Sequence, residues 1–223
     1  MPLQKLPTWI QIGTFLLAVN AGMINVLGLF TVLHQAVSHM TGNISLISMA
    51  LIEHDWSNIA YLTAVVLSYV LGSFYSGWIL GNSELILGRR YGIPLSLVAL
   101  SILLCWLFLP YFPRYGLLWA AVAMGIQNAM VSHYRGTIIR TTHLSGVLTD
   151  LGLALGYIMR GLKVSPRRLV LHSLIVVGFL IGGIVSSLAY PVLGLQSFLI
   201  PVILSMLMSL TYWLCYFKFY SQH

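Results

Sequence analysis

Apolar residues run along this chain in eight blocks separated by short polar gaps. Six blocks are long: Trp9 to Phe30, Ile59 to Leu80, Pro94 to Phe112, Tyr115 to Val131, Leu169 to Val192 and Phe198 to Phe217. Each comes near the ~20 residues that an α-helix needs to cross a hydrocarbon core of ~30 Å, so each is predicted as a spanning helix. The remaining two are shorter. Thr41 to Ile52 falls short of a full crossing, and Leu144 to Met159 stands at the lower limit. Lys5 precedes a first block of full spanning length with no small-residue cleavage site behind it, so that block reads as a first helix rather than a removed signal.

Composition agrees with that pattern. Of 223 residues, 59% are apolar and 7% charged, which excludes a soluble domain and leaves no length for an extramembrane one. The expected surroundings are the lipid bilayer. A net charge of +7 would suggest nucleic acid in a soluble protein, but here the basic residues occupy short loops and serve to orient the spans, so no nucleic-acid partner is expected. Cys105 and Cys215 lie within apolar blocks and are read as packing residues.

The loop charges choose between topologies. If all eight blocks crossed with the N-terminus inside, Arg89, Arg90, Arg135 and Arg140 would lie outside, four of the 11 basic residues. If the two short blocks enter and return to the same side, every Lys and Arg except Arg114 lies inside. The second arrangement predicts six transmembrane helices and two re-entrant half-helices, with both termini cytoplasmic.

The chain also repeats itself. Ser38-His39-Met40-Thr41-Gly42 aligns with Thr142-His143-Leu144-Ser145-Gly146 at a shift of 104 positions, and Gly22 and Asn25 align with Gly125 and Asn128 at one less. Two halves of three crossings each must enter the membrane from opposite sides. The expected fold class is therefore an all-α integral membrane protein with an inverted three-plus-three repeat. Residues 1–113 would form the first repeat, with a re-entrant element at 38–53, and residues 114–223 the second, with one at 140–160.

Candidate chemistry gathers at the two short blocks. Thr41-Gly42-Asn43 and Ser145-Gly146 predict helix starts, with Thr41 and Ser145 as caps and the glycines permitting close approach. Two such starts meeting near midplane would present free N–H groups and the positive dipole ends to an anion or an electron-rich polar solute. His39, Thr142 and His143 flank them, and Asn25, Gln127 and Asn128 are amides inside apolar spans that either line a solute path or hold the broken helices. The other reading is that these are capped membrane helices whose polar groups satisfy one another. Glu53, Asp55 and Glu84 fall in loops or at helix ends, leaving Asp150 as the acid within a membrane element and the candidate coupling residue. Its alternative is a carboxylate paired with Arg140 or Arg160. No metal is expected, because no third and fourth ligand accompany the two histidines at regular spacing, and no cofactor is expected. Ser73-xxx-Gly77-xxx-Gly81 and Gly178-xxx-Gly182 would pack helices closely, either internally or across a homodimer.

With Val37-Ser38-His39-Met40-Thr41-Gly42-Asn43, Gly125-Ile126-Gln127-Asn128-Ala129 and Arg140 to Asp150 in order, the chain resembles the YoaK-like bacterial membrane proteins, domain of unknown function 1275, over essentially its whole length. The resemblance implies a bacterial inner-membrane protein with six spans and no assigned activity. Where it implies an acid in the first span this chain has Asn25, so no proton role carries over to that position. The function expected from these readings is a secondary transporter or facilitator of a small polar or anionic solute. A passive channel framed by the same two half-helices is the alternative. An intramembrane hydrolase built on Ser145 with His143 or His39 is weaker, because residues two apart do not face each other on a helix, and no enzyme activity is expected.

Overall fold

The computed structural model describes residues 8–31, 34, 36–81, 89–131 and 141–220. Lys5, Glu84, Arg135 and Arg140 lie outside these, as do the expected pairing of Arg140 with Asp150 and the first residue of the element at 140–160. The described residues form helices α1 (Thr8–Phe30), α2 (Met40–Ile52), α3 (Trp56–Leu80), α4 (Arg89–Phe108), α5 (Pro113–Met130), α6 (Leu144–Met159), α7 (Pro166–Leu193) and α8 (Leu199–Tyr220), with a 3-10 turn, Gly194–Phe198, between the last two. There is no strand among them.

Each apolar block becomes a helix, and most extend slightly beyond it. α4 begins at Arg89 rather than Pro94, because a proline in the second turn removes only the bond that would return to the Arg90 carbonyl. By length and hydropathy four helical runs qualify as membrane spans: Thr8–Phe30, Trp56–Leu80, Tyr91–Phe108 and the run Pro166–Lys218, which contains α7 and most of α8. α5 is not among these runs, since Arg114, Gln127 and Asn128 dilute its apolar content. Large side chains such as Ile52, Trp78, Leu188 and Val192 stand more than 70% exposed, which suits lipid and not water. The chain is a multi-pass membrane protein.

Its packing recurs in matched pairs. α1 lies against α7 in the same direction, with Ala18 beside Gly178, Val19 beside Gly182, and Ser186 donating to the Met23 carbonyl at 3.3 Å. α3 lies against α5 likewise, with Gly72 beside Val122 and Ile126, and Ser73 donating to the Gly125 carbonyl at 3.2 Å. A Cβ added at Gly22 would strike the Phe179 carbonyl oxygen, and one at Gly125 would strike that of Tyr69. In lipid, where burial of apolar surface no longer drives helices together, such backbone approach does. The glycine stripe is thus used internally, but with a corrected register in α3. Gly72 makes the contact, whereas Gly77 and Gly81 have no neighbour within 4 Å of a built Cβ.

α2 folds back on α3 and α6 on α7, while α4 packs on α5 and, in the opposite direction, on α8. Ser96 and Ser209 share a hydrogen bond at 2.8 Å, Gly92 lies beside Trp213, and the Trp106 indole donates to Gln196 at 3.2 Å. One end of the bundle therefore collects the last turns of α1, α4 and α7 and the first turns of α3, α5 and α8. There Phe30 stacks on Tyr190 at 4.9 Å, and Arg114 donates to Ser57 at 2.9 Å with its guanidinium over the Tyr61 ring.

Candidate functional site

The two short helices start at equivalent places. In the first half, Asn25 on α1 reaches across to the segment leading into α2. Its Nδ2 donates to the Ser38 hydroxyl at 2.7 Å, and the Ser38 N–H donates back to Oδ1 at 3.1 Å. In the second half, Asn128 on α5 does the same to Thr142, whose N–H donates to Asn128 Oδ1 at 3.2 Å and whose hydroxyl accepts from Nδ2. Each amide thereby satisfies polar backbone that would otherwise be stranded in an apolar interior.

Held in this way, the helices begin two residues earlier than their expected caps suggest. His39 and His143 occupy the cap positions with nearly equal backbone angles, φ −88° with ψ 69° and φ −90° with ψ 62°, and neither helix has a side-chain cap bond. Thr41 and Ser145, expected as caps, lie in the first turn. The reason is local. Each imidazole folds over its own helix start, where a Cβ at Gly42 would come within 2.5 Å of His39 Nδ1, and one at Gly146 within 2.5 Å of His143 Cδ2. Among the described residues, the first-turn N–H groups, which no intrahelical carbonyl can reach, have no side-chain acceptor.

Both starts open on one cavity of about 730 Å³. Asn25, His39 and Thr41 line it from the first half, and Asn128, Thr142, His143 and Ser145 from the second. Ser38, Tyr69, Ser73 and Phe179 add to its polar and aromatic lining, and among the described residues no Asp, Glu, Lys or Arg borders it. Sequence reasoning missed Ser38, although it is the repeat partner of Thr142. It also missed Tyr69, whose signal is a hydroxyl in the middle of an apolar block rather than near an end, where interfacial tyrosines sit.

Five expected site residues are not brought to the cavity. Gly42 and Gly146 sit beneath the imidazoles, and Asn43 is buried without lining it. Gln127 turns into the protein instead, accepting from Asn20 at 3.0 Å and donating to the Leu17 carbonyl at 2.9 Å and to Thr141 at 3.0 Å. Asn20 in turn accepts from Ser205 on α8 at 3.2 Å, so Gln127 is the hub of a buried network joining three helices. Asp150 faces α7 away from the cavity, with Arg168 Nη2 at 2.9 Å and His172 Nε2 at 3.7 Å. Among the described residues its partner is thus Arg168 and not Arg160, because α6 folds back antiparallel on the first turns of α7.

Paired helices around a shared cavity define a polytopic membrane protein. Over residues 13–211 the chain matches the model of the family described as protein of unknown function (DUF1275), and it belongs to that family. No curated protein and no solved structure matches it.

Proposed function

We propose that this protein is a secondary transporter or facilitator in the bacterial inner membrane, taking a small polar or anionic solute into the cavity between α2 and α6. The observation that carries this reading is the cavity itself, with equivalent residues of both halves facing each other across it. Irregular backbone at membrane depth is tolerated where it lines such a space.

The reading includes six spans and an inverted repeat. In its support, α2 ends beside the start of α3, at the bundle end that holds Arg114, whereas α6 ends beside the start of α7, at the opposite end. Two half-helices that begin at one cavity and leave toward opposite faces are related by a two-fold axis in the membrane plane. Arg160, Lys163, Arg167, Arg168 and Lys218 cluster at the α6 end, which the positive-inside rule assigns to the cytoplasm together with both termini. Glu53 and Asp55 accompany Arg114 on the other side. Asp150, joined to Arg168 beyond the cavity, serves in this reading to fasten α6 to α7.

Uptake into liposomes containing the purified protein tests the proposal. Saturating flux of small anions or polar solutes is expected, and Gly42→Leu, which drives the His39 ring into the cavity, abolishes it. Absence of flux for every solute class, with unchanged ligand-induced stabilisation in Gly42→Leu and Ser145→Ala, overturns the reading. Fast flux that does not saturate assigns the cavity to a channel.

A further inference from the structure

We infer that the solute is a singly charged oxyanion, a carboxylate or nitrate, and that the Tyr69 and Thr142 hydroxyls donate to it. The inference deepens the transport reading and rests on it. It begins with the orientation of one amide. The Thr142 backbone N–H can only donate, so the Asn128 atom facing it must be the oxygen, and the nitrogen is turned to the other side. That nitrogen donates to the hydroxyl oxygens of both Tyr69 and Thr142. Each hydroxyl has thereby been supplied with a donor, and its own hydrogen is left to give away. Neither hydroxyl donates to a protein acceptor among the described residues, and both line the cavity.

The site is therefore rich in directed donors. A solute with lone pairs on adjacent oxygens is matched, and a cation meets hydroxyls that Asn128 has already turned to face it with hydrogen. Charge magnitude narrows the class further. Each helix N-terminus carries the equivalent of roughly +0.5 charge, so the starts of α2 and α6 together offset about one negative charge. With no Lys or Arg among the described lining residues, a dianion would enter with its second charge uncompensated by them. The two halves also differ at one matched aromatic position. Tyr69 on α3 corresponds to Phe179 on α7, each lying over the partnered glycine of the facing helix, so only one wall brings a phenol hydroxyl.

The test compares formate with formamide, a pair of nearly equal size that differs in charge, and adds nitrate, sulfate and choline. Binding to the purified full chain is read by ligand-induced thermal stabilisation, and transport by uptake into liposomes. Formate and nitrate are expected to bind and to cross, while sulfate and choline do neither. Tyr69→Phe lowers formate affinity by about tenfold to a hundredfold, as loss of one hydrogen bond to a charged acceptor does. Because a general loosening of the cavity would weaken both probes alike, the formate-to-formamide ratio is the decisive reading, and it falls in Tyr69→Phe and in Thr142→Val. An unchanged ratio in both variants overturns the assignment of the hydroxyls. Preference for formamide or sulfate, blocked by Gly42→Leu, overturns the singly charged oxyanion and leaves the transport reading standing, whereas preference for choline overturns both. If none of the five probes binds or crosses, both fall.

Discussion

Asn25 and Asn128 each resolve the same local problem, a chain that must turn back inside an apolar bundle without stranding its polar groups. The amide supplies an acceptor for one backbone N–H and a donor for the adjacent hydroxyl, so one side chain satisfies a backbone group and a side-chain group at once. At Asn128 the same device sets the direction of two cavity hydroxyls. Asn128→Asp is therefore expected to stay folded, because a carboxylate accepts from Thr142 N–H and from both hydroxyls, yet to lose formate binding as those hydroxyls turn inward. Thermal unfolding and a binding titration on the same sample check both parts. Asp150 gives the converse case. Its pair with Arg168 is partly exposed, with side-chain accessibilities of 32% and 51%, so Asp150→Asn is expected to cost no more than about 1 kcal/mol and to leave solute binding intact. Retained binding with loss of gradient-driven uptake would return to Asp150 the coupling role its position in the sequence suggests. The repeated His, hydroxyl and Gly made this region legible in the sequence. The cap positions were not, since a Thr or Ser ahead of a Gly signals a cap only until a His ring is found occupying the space.

At the level of helices, hydrophobic blocks gave the elements, while their partners came from glycines. The contacts of α1 with α7 and of α3 with α5 depend on single missing methyl groups facing backbone carbonyls. Gly22→Ala and Gly182→Ala should each separate α1 from α7 and destabilise the protein by about 1–3 kcal/mol, read as a lowered unfolding temperature in detergent. Gly77→Ala is the contrast. Its Cβ meets no atom within 4 Å, so it is expected to be neutral or to stabilise α3 by up to about 1 kcal/mol through helix propensity. Spacing alone put Gly77 in the packing stripe and passed over Gly72. Small residues recur along α3 at several phases, and only the face of α5 selects one of them.

For the molecule as a whole, the governing feature is that α2 and α6 start at one cavity and end on different faces. An impermeant maleimide applied to intact cells, in a background where Cys105 and Cys215 are replaced, is expected to label Asp55→Cys and to spare Lys163→Cys until the membrane is permeabilised. Labelling of both from outside would place the two short helices on one side and end the inverted arrangement. The sequence by itself determined that the chain lives in a membrane, where its helices run, which two apolar blocks are the shorter ones, and that its halves share a motif. Those properties follow from hydropathy, length and the scarcity of charge, each of which is local or additive along the chain. Only the tertiary structure decided which polar residues meet. Gln127 and Asn128 are neighbours in one helix, and a rotation of roughly 100° between them sends the first into a buried network and the second to the cavity wall. A helix face acquires its role from what packs against it, and that information is nowhere in the order of the residues.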